Sequence, residues 1–211
     1  MKTMTTIAII LTAHVALPAR ADLGSDITHL QQRWAEVNYQ LEGKTQLSEF
    51  DKLMQEAEQT THEYPDAAEG WIWSGIIKST YAGAKGGLGA LSLAKKSRAD
   101  LEKAMAIDDV ALNGSAYTSL GALYYSVPGW PVGFGDDEKA GELLRKALAL
   151  NPDGIDSNYF YGSYLITEKR YDEARQYLRK AQQAPARPDR PLADEGRQQD
   201  ILKALENIDG K

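Results

Sequence analysis

The sequence contains no cysteine and only three histidines among its 211 residues. Without cysteine, no disulfide can stabilise the fold and no thiol is available for nucleophilic or redox chemistry. His29 and His62 lie far apart in the chain, without the short spacing that His and Cys ligands of zinc show. We therefore expect no metal site and no bound cofactor.

Basic clusters and long hydrophobic runs are also missing. Lys and Arg number 24 against 30 Asp and Glu, which gives a net charge of −6. An acidic chain without a basic patch argues against nucleic acid and against anionic membrane surfaces as partners. The apolar run at 7–17 is much shorter than the roughly 20 residues of a membrane span, so we expect no stable membrane insertion.

Sequence motifs of catalysis are absent as well. The glycines at 83–89 follow neither phosphate-binding order, and no strand is predicted before them. The carboxylates at 153–156 do not form a calcium-binding loop, and no G-x-S-x-G nucleophile motif occurs. The sequence predicts a protein that binds rather than an enzyme.

The first 21 residues have the layout of a secretory signal peptide. Lys2 precedes the apolar run, and Ala19 and Ala21 supply small residues before a cleavage point at Asp22. We expect a periplasmic or secreted mature protein that begins at Asp22. An uncleaved N-terminal anchor is the alternative interpretation.

A repeated spacing of small residues runs through the rest of the chain. In the clearest unit, Gly162 is followed by Ala174 and Ala181, with Leu178 between them and Pro185 at the end. Small residues at these positions let two helices approach closely, while large apolar residues fill the space around them. Two earlier units keep the pattern with insertions of seven and ten residues: Gly121, Ala140, Leu144 and Ala147, and Gly75, Ser97, Leu101 and Ala104.

The pattern predicts an all-α fold of four helix pairs and a C-terminal capping helix. A proline-rich linker at 185–191 leads to this last helix, because proline disfavours helix at its own position and at the one before. We expect the last helix to bury Ile201, Leu202 and Leu205 and to turn Arg197 outward. The expected ranges are 26–64, 67–107, 112–150 and 155–184 for the pairs and 192–207 for the cap.

These spacings resemble those of the tetratricopeptide-repeat (TPR) family. The resemblance implies a right-handed solenoid of antiparallel helix pairs, which binds partners on its concave face. More narrowly, a small exported repeat protein with glycine-rich insertions is similar to the T component of TRAP-type solute transporters. That resemblance implies a role beside periplasmic solute-binding proteins.

Both insertions fall between the two helices of a repeat, so we expect them on the same edge of the solenoid. The first, at 81–94, leaves room for a short extra helix. The second, at 126–138, carries Trp130 and Phe134, and leaving both in water would cost about 2 kcal/mol each, so we expect burial. Three interpretations stay open: a local core, the rim of a binding site, or a self-association surface.

The repeat pattern also predicts which side chains of the first helices face the concave surface. That surface should be small, rich in hydroxyls and partly apolar, which suits an extended peptide or a small amphipathic solute. For the tyrosines, packing between repeats is the alternative. The candidate binding residues, insertion aromatics included, are Ile76, Thr118, Tyr125, Trp130, Phe134, Tyr159 and Ser163.

The leading hypothesis is an exported interaction module that binds an envelope protein or extended peptide through the concave face and the two insertions. The alternative is a solute-binding accessory of a TRAP-type transport system, with an apolar cavity. The sequence leaves the oligomeric state open.

Overall fold

The computed structural model describes residues 22–211, so the predicted signal peptide lies outside the described residues. The all-α prediction is confirmed: residues 22–211 form nine α-helices and contain no strand. The helices are α1 (Leu23–Gln40), α2 (Gly43–Glu63), α3 (Ala68–Lys85), α4 (Gly87–Ile107), α5 (Ala111–Ser126), α6 (Asp137–Leu150), α7 (Ile155–Thr167), α8 (Tyr171–Gln182) and α9 (Pro191–Glu206).

The first eight helices pack as four successive pairs. Within this array α1, α3, α5 and α7 each contact the next member of the series, and together they form an inner layer. The second helices α2, α4, α6 and α8 each contact the following first helix from outside. This two-layer stacking is the arrangement of a solenoid.

Close approach within the second, third and fourth pairs depends on a glycine in the first helix. A Cβ atom on Gly121 would lie 2.7 Å from the Cγ of Leu144 and 3.3 Å from the carbonyl oxygen of Ala140. Gly75 and Gly162 meet Leu101 and Leu178 in the same way, at 2.5 and 2.9 Å. The small residues that the sequence singled out therefore set the separation of the paired helices.

Ser97 takes the place of alanine in the second pair, as the spacing predicts. It is fully buried, and its hydroxyl donates a 2.7 Å hydrogen bond to the carbonyl of Gly75. The hydroxyl is therefore satisfied inside the helix–helix contact, where an unpaired polar group would be costly.

The first insertion does not form the short extra helix for which the sequence left room. Its residues instead lengthen α3 and α4, which meet at Gly86 alone. Gly86 has φ 62° and ψ −177°, a backbone conformation that residues other than glycine rarely adopt. The insertion thus extends the solenoid edge with two long helices.

Helix α9 is more than the end cap predicted from the sequence. It contacts α7 and α8, as the next first helix of a solenoid would, and it also contacts α1. The Tyr39 hydroxyl of α1 donates a 3.2 Å hydrogen bond to Asp200 of α9. The inner layer, with α9 as its fifth member, therefore closes on itself as a ring.

Two expectations about the α9 side chains were wrong. Arg197 was expected to point outward but is 8% exposed, whereas Leu202 was expected to be buried and is 47% exposed. Ile201 is fully buried, as expected. The helix is rotated from the predicted orientation because it packs on α1 as well as on the last repeat, and it turns Arg197 into the ring.

None of the helices within residues 22–211 is both long enough and apolar enough to cross a membrane.

Candidate ligand-binding cavity

The ring of inner helices surrounds a cavity of about 1150 Å³. Side chains from α1, α3, α5, α7 and α9 all line it, together with residues of both insertions. Ala90 and Leu91 contribute from the first insertion, and Val127 and Val132 from the second. The cavity is therefore bounded by the whole solenoid rather than by one repeat.

One wall of the cavity is aromatic. Trp34 packs edge-on against Trp73 at 6.0 Å and against Tyr39 at 5.7 Å between ring centroids. The indole N–H of Trp34 donates a 3.0 Å hydrogen bond to Thr80. The indole N–H of Trp73 is buried without any acceptor among the described residues. A buried donor without an acceptor costs free energy, so this wall holds an unsatisfied polar group.

Hydroxyl groups form a second part of the lining. Those of Ser79 and Ser115 donate to carbonyl groups in their own helices at 2.8 and 2.7 Å, which leaves their oxygen lone pairs free as acceptors. The serines and threonines of the lining are Ser79, Thr80, Ser115, Thr118, Ser119, Ser126 and Ser157. This part of the cavity can accept hydrogen bonds from a ligand.

A cluster of charged residues closes the cavity where α7 meets the linker and α9. Asp156 accepts hydrogen bonds from Arg187 at 2.7 Å and from Arg197 at 2.9 Å. Arg187 also binds Asp194 at 2.6 Å, and Arg197 binds Asp200 at 3.1 Å. The cluster fastens the linker and α9 to the first turn of α7, 31 to 41 residues earlier in the sequence.

The electrostatic state of this cluster is set by Asp156. Burial alone would raise the pKa of its carboxyl group, but the charges of Arg197 and Arg187 outweigh that effect and hold the pKa well below its usual range. Asp156 lies inside the first turn of α7, which begins at Ile155. It is thus an ionised partner of two arginines.

Arg190 differs from the other two arginines of the cluster. It lines the cavity, and its guanidinium carbon lies 5.1 Å from the ring centroid of Trp73. Its Nε is buried without an acceptor, and its side chain forms no ion pair within residues 22–211. Burial and the charge of Arg187 lower the pKa of Arg190.

The structure brings only some of the predicted binding residues into the cavity. Ile76 and Thr118 line it. Tyr125, Tyr159 and Ser163 lie close together but are not among the lining residues; burial raises the pKa of Tyr125, and the Tyr159 ring packs 4.3 Å from the guanidinium carbon of Arg197. The two tyrosines pack between inner helices, Tyr125 against Tyr164 of α7 and Tyr159 against Arg197 of α9.

The two insertion aromatics separate. Phe134 is half-buried and packs edge-on against Tyr124 at 5.6 Å, with the guanidinium carbon of Arg98 4.7 Å from its ring centroid. That is the local core among the three interpretations. Trp130 was expected to be buried, but it is 89% exposed. Packing against α4 and α5 covers part of Phe134, whereas no neighbouring surface covers Trp130.

The charged cluster was not found from the sequence. Arg187 and Arg190 lie in a segment that proline identified as a stiff linker, and Arg197 was assigned to the solvent face of α9. A pattern within one helix cannot show which residue of another helix it meets. The only signal in the sequence was that two arginines lie between the prolines of the linker. This linker is too short to move far from α7.

These features define a class: an all-α, TPR-like solenoid whose inner helices close around a cavity. Among solved structures, the chain is similar to the thermophilic TPR protein TTC0263 of Thermus thermophilus, with 19% identity over 84% of this chain and 80% of that one and a TM-score of 0.57. At this identity the likeness shows the fold alone.

Two further solved structures are less similar to the chain. MamA is 17% identical over 76% of this chain and 87% of its own, with a TM-score of 0.45. PilF of Pseudomonas aeruginosa is 14% identical over 88% and 95%, with a TM-score of 0.37. No protein-family model matches the sequence, and no curated protein does either.

Proposed function

We propose that this protein is a binding module that holds a small amphipathic molecule inside its ring of inner helices. The observation that carries this proposal is the closure of α9 onto α1 around a cavity of about 1150 Å³. Ligand sites are typically concave, largely apolar and supplied with a few placed polar groups. The aromatic wall, the hydroxyl groups and the charged cluster supply these features.

The closed ring favours a small molecule over an extended peptide on the concave face. A peptide lying along a solenoid needs a continuous groove, and here Tyr39 and Asp200 join the first and last inner helices. Opening the ring for a peptide would break this contact and expose the buried Arg197. A compact solute can use the cavity without that cost.

Binding rather than catalysis is the activity that the lining supports. Neither histidine nor cysteine occurs among the lining residues, and the carboxylates of Asp156 and Asp200 are occupied by Arg197. Residues 22–211 contain no group of His, Cys, Asp and Glu placed to hold a metal ion. The lining therefore offers preorganised contacts to a bound solute.

The proposal also includes export of the protein and a role in solute transport. The leader at 1–21 supports a periplasmic or secreted location, and the sequence resemblance to T components supports a solute-binding accessory of a TRAP-type system. A cavity that holds a solute is what such an accessory would use.

Filling the cavity is expected to abolish solute binding. Ala122 lines the cavity from α5, and a tryptophan at this position would occupy much of the space beside Thr118. We expect native mass spectrometry to detect a retained small molecule on the wild-type protein, and Ala122→Trp to lose at least nine-tenths of it.

Ala149→Trp is the matched control, because Ala149 is exposed on α6 and does not line the cavity. It should retain the wild-type amount of the solute. A wild-type protein that carries no solute after mild purification from its natural envelope would contradict the proposal, and so would full retention by Ala122→Trp.

Binding of a protein partner is a second candidate, and the exposed insertion loop favours it. Trp130 is 89% exposed and Val132 is 65% exposed, although exposed apolar residues in water forfeit the free energy of burial. If a partner covers this loop, Trp130→Ala will lose a crosslinked envelope protein that Ala122→Trp retains. Equal recovery with both variants would exclude the loop as the contact.

A further inference from the structure

Arg190 is the one arginine of the charged cluster that forms no ion pair within residues 22–211. It immediately precedes α9, and its backbone N–H donates a 2.9 Å hydrogen bond to the carbonyl of Arg187, which fixes its main chain. Its side chain is half-buried, faces the cavity and packs on the ring of Trp73. Within residues 22–211 its Nε has no hydrogen-bond acceptor.

The neighbouring carboxylates are already occupied. Asp156 binds Arg187 and Arg197, Asp194 binds Arg187, and Asp200 binds Arg197. The remaining carboxylate of the lining, that of Asp153, lies 3.1 Å from Lys180. The charges of Asp156 and Asp194 still attract Arg190, but neither carboxylate lies within ion-pair distance of its guanidinium group.

A partly desolvated cation without a directly bound counter-ion is unfavourable, and an anion that reached it would relieve that cost. The lowered pKa of Arg190 is the expected response to this environment. Trp73, against which Arg190 packs, also holds a buried N–H without an acceptor. Two unsatisfied donors thus meet at one place on the cavity wall.

We propose that Arg190 is the anion-recognition residue of the cavity and that the ligand is an amphipathic carboxylate. The planar guanidinium group matches the two oxygens of a carboxylate, and the ring of Trp73 holds that plane in a fixed orientation. The apolar part of the ligand lies against the lining formed by Trp34, Ile76, Leu123 and Phe160. This inference rests on the proposed solute-binding function and names the class of solute.

The test compares two probes that differ only in their head group. Decanoate and decan-1-ol share a ten-carbon chain, and their affinities for the mature chain are measured by calorimetry. We expect decanoate to bind the wild-type protein at least about tenfold more tightly, which is the contribution of a hydrogen-bonded charge pair. Arg190→Gln should remove that preference and leave the affinity for decan-1-ol unchanged.

The control is Arg179→Gln, which removes one positive charge from an exposed position on α8 that does not line the cavity. It should keep the preference for decanoate, and both variants should unfold at temperatures close to that of the wild type. Equal affinities of the two probes for the wild-type protein would overturn the anion site while the solute-binding function stands. Binding of neither probe would overturn both proposals.

Discussion

Replacing Asp100 by alanine is expected to lower the free energy of unfolding by about 3 kcal/mol, because it leaves a buried ammonium group without its main counter-ion. Lys78 is 5% exposed, and its Nζ lies 2.6 Å from Asp100 Oδ2. The hydroxyl of Ser74 donates to the same oxygen at 2.7 Å. Glu58 is half-exposed and lies 3.1 Å from Lys78 Nζ, so it still partly neutralises the ammonium group after the substitution. The expected loss of stability is therefore at the lower end of the range for broken buried ion pairs.

Urea unfolding followed by circular dichroism measures this loss. The double variant Lys78→Met with Asp100→Leu should lose less than Asp100→Ala alone, because it removes both charges and keeps the volume filled. Asp172→Ala is the surface control: its side chain is 92% exposed beside Arg175, and such pairs contribute less than about 1 kcal/mol. Equal losses for Asp100→Ala and Asp172→Ala would show that the pair of Lys78 and Asp100 is not buried in solution.

The pairing of the helices could be predicted from the sequence because it depends on residues of fixed local spacing. Gly121, Ala140 and Leu144 meet across a single helix pair, and the second and fourth pairs build the same contact again. A solenoid consists of such neighbour contacts, so a pattern that recurs along the chain is sufficient to predict it. Ser97 could be recognised for the same reason.

Contacts between distant repeats could not be predicted in that way. Asp156 binds Arg197 across 41 residues, and Tyr39 meets Asp200 across 161 residues. Both contacts exist because the solenoid curves enough for α9 to reach α1, and a repeat spacing does not determine that curvature. Two of the predicted residues, Ile76 and Thr118, line the resulting cavity, since their place in the first helices already directed them inward.

The exposure of Trp130 shows the limit of an argument from hydrophobicity alone. Burial of an aromatic ring is favourable, but it requires a surface within reach of a loop held at both ends. The hydrogen bond from the N–H of Gly135 to the carbonyl of Pro128, at 3.0 Å, holds the loop ends together. Phe134, next to this contact, reaches Tyr124, whereas Trp130 at the tip does not reach the body of the protein.

Replacing Gly196 by alanine is expected to separate α9 from α1 and open the ring. A Cβ atom at this position would lie 2.4 Å from two carbon atoms of the Tyr39 ring, closer than any van der Waals contact. The ring cannot move aside easily, because Trp34 packs edge-on against it and its hydroxyl is bound to Asp200. Overpacking of this kind costs about 1–3 kcal/mol.

Hydrogen exchange read by mass spectrometry locates the effect. We expect amides of α9 to exchange about ten to a hundred times faster in Gly196→Ala, the rate equivalent of that free energy, while amides of α5 and α6 keep their wild-type rates. The solute retained by the cavity should be lost together with the protection of α9. Loss of protection throughout the chain would indicate general destabilisation instead of ring opening and would contradict the prediction.

Gly70→Ala is the matched control for this experiment. Gly70 also lies in a helix, but a Cβ atom there would be 3.6 Å from the nearest Thr60 atom, which is an ordinary contact. Alanine stabilises a helix by about 1 kcal/mol relative to glycine, so this variant should be as stable as the wild type or more stable. The same intrinsic gain acts at Gly196, so faster exchange there must come from the contact with Tyr39. Unchanged α9 exchange in Gly196→Ala would mean that α9 does not rest on α1 in solution and that the cavity is an open groove.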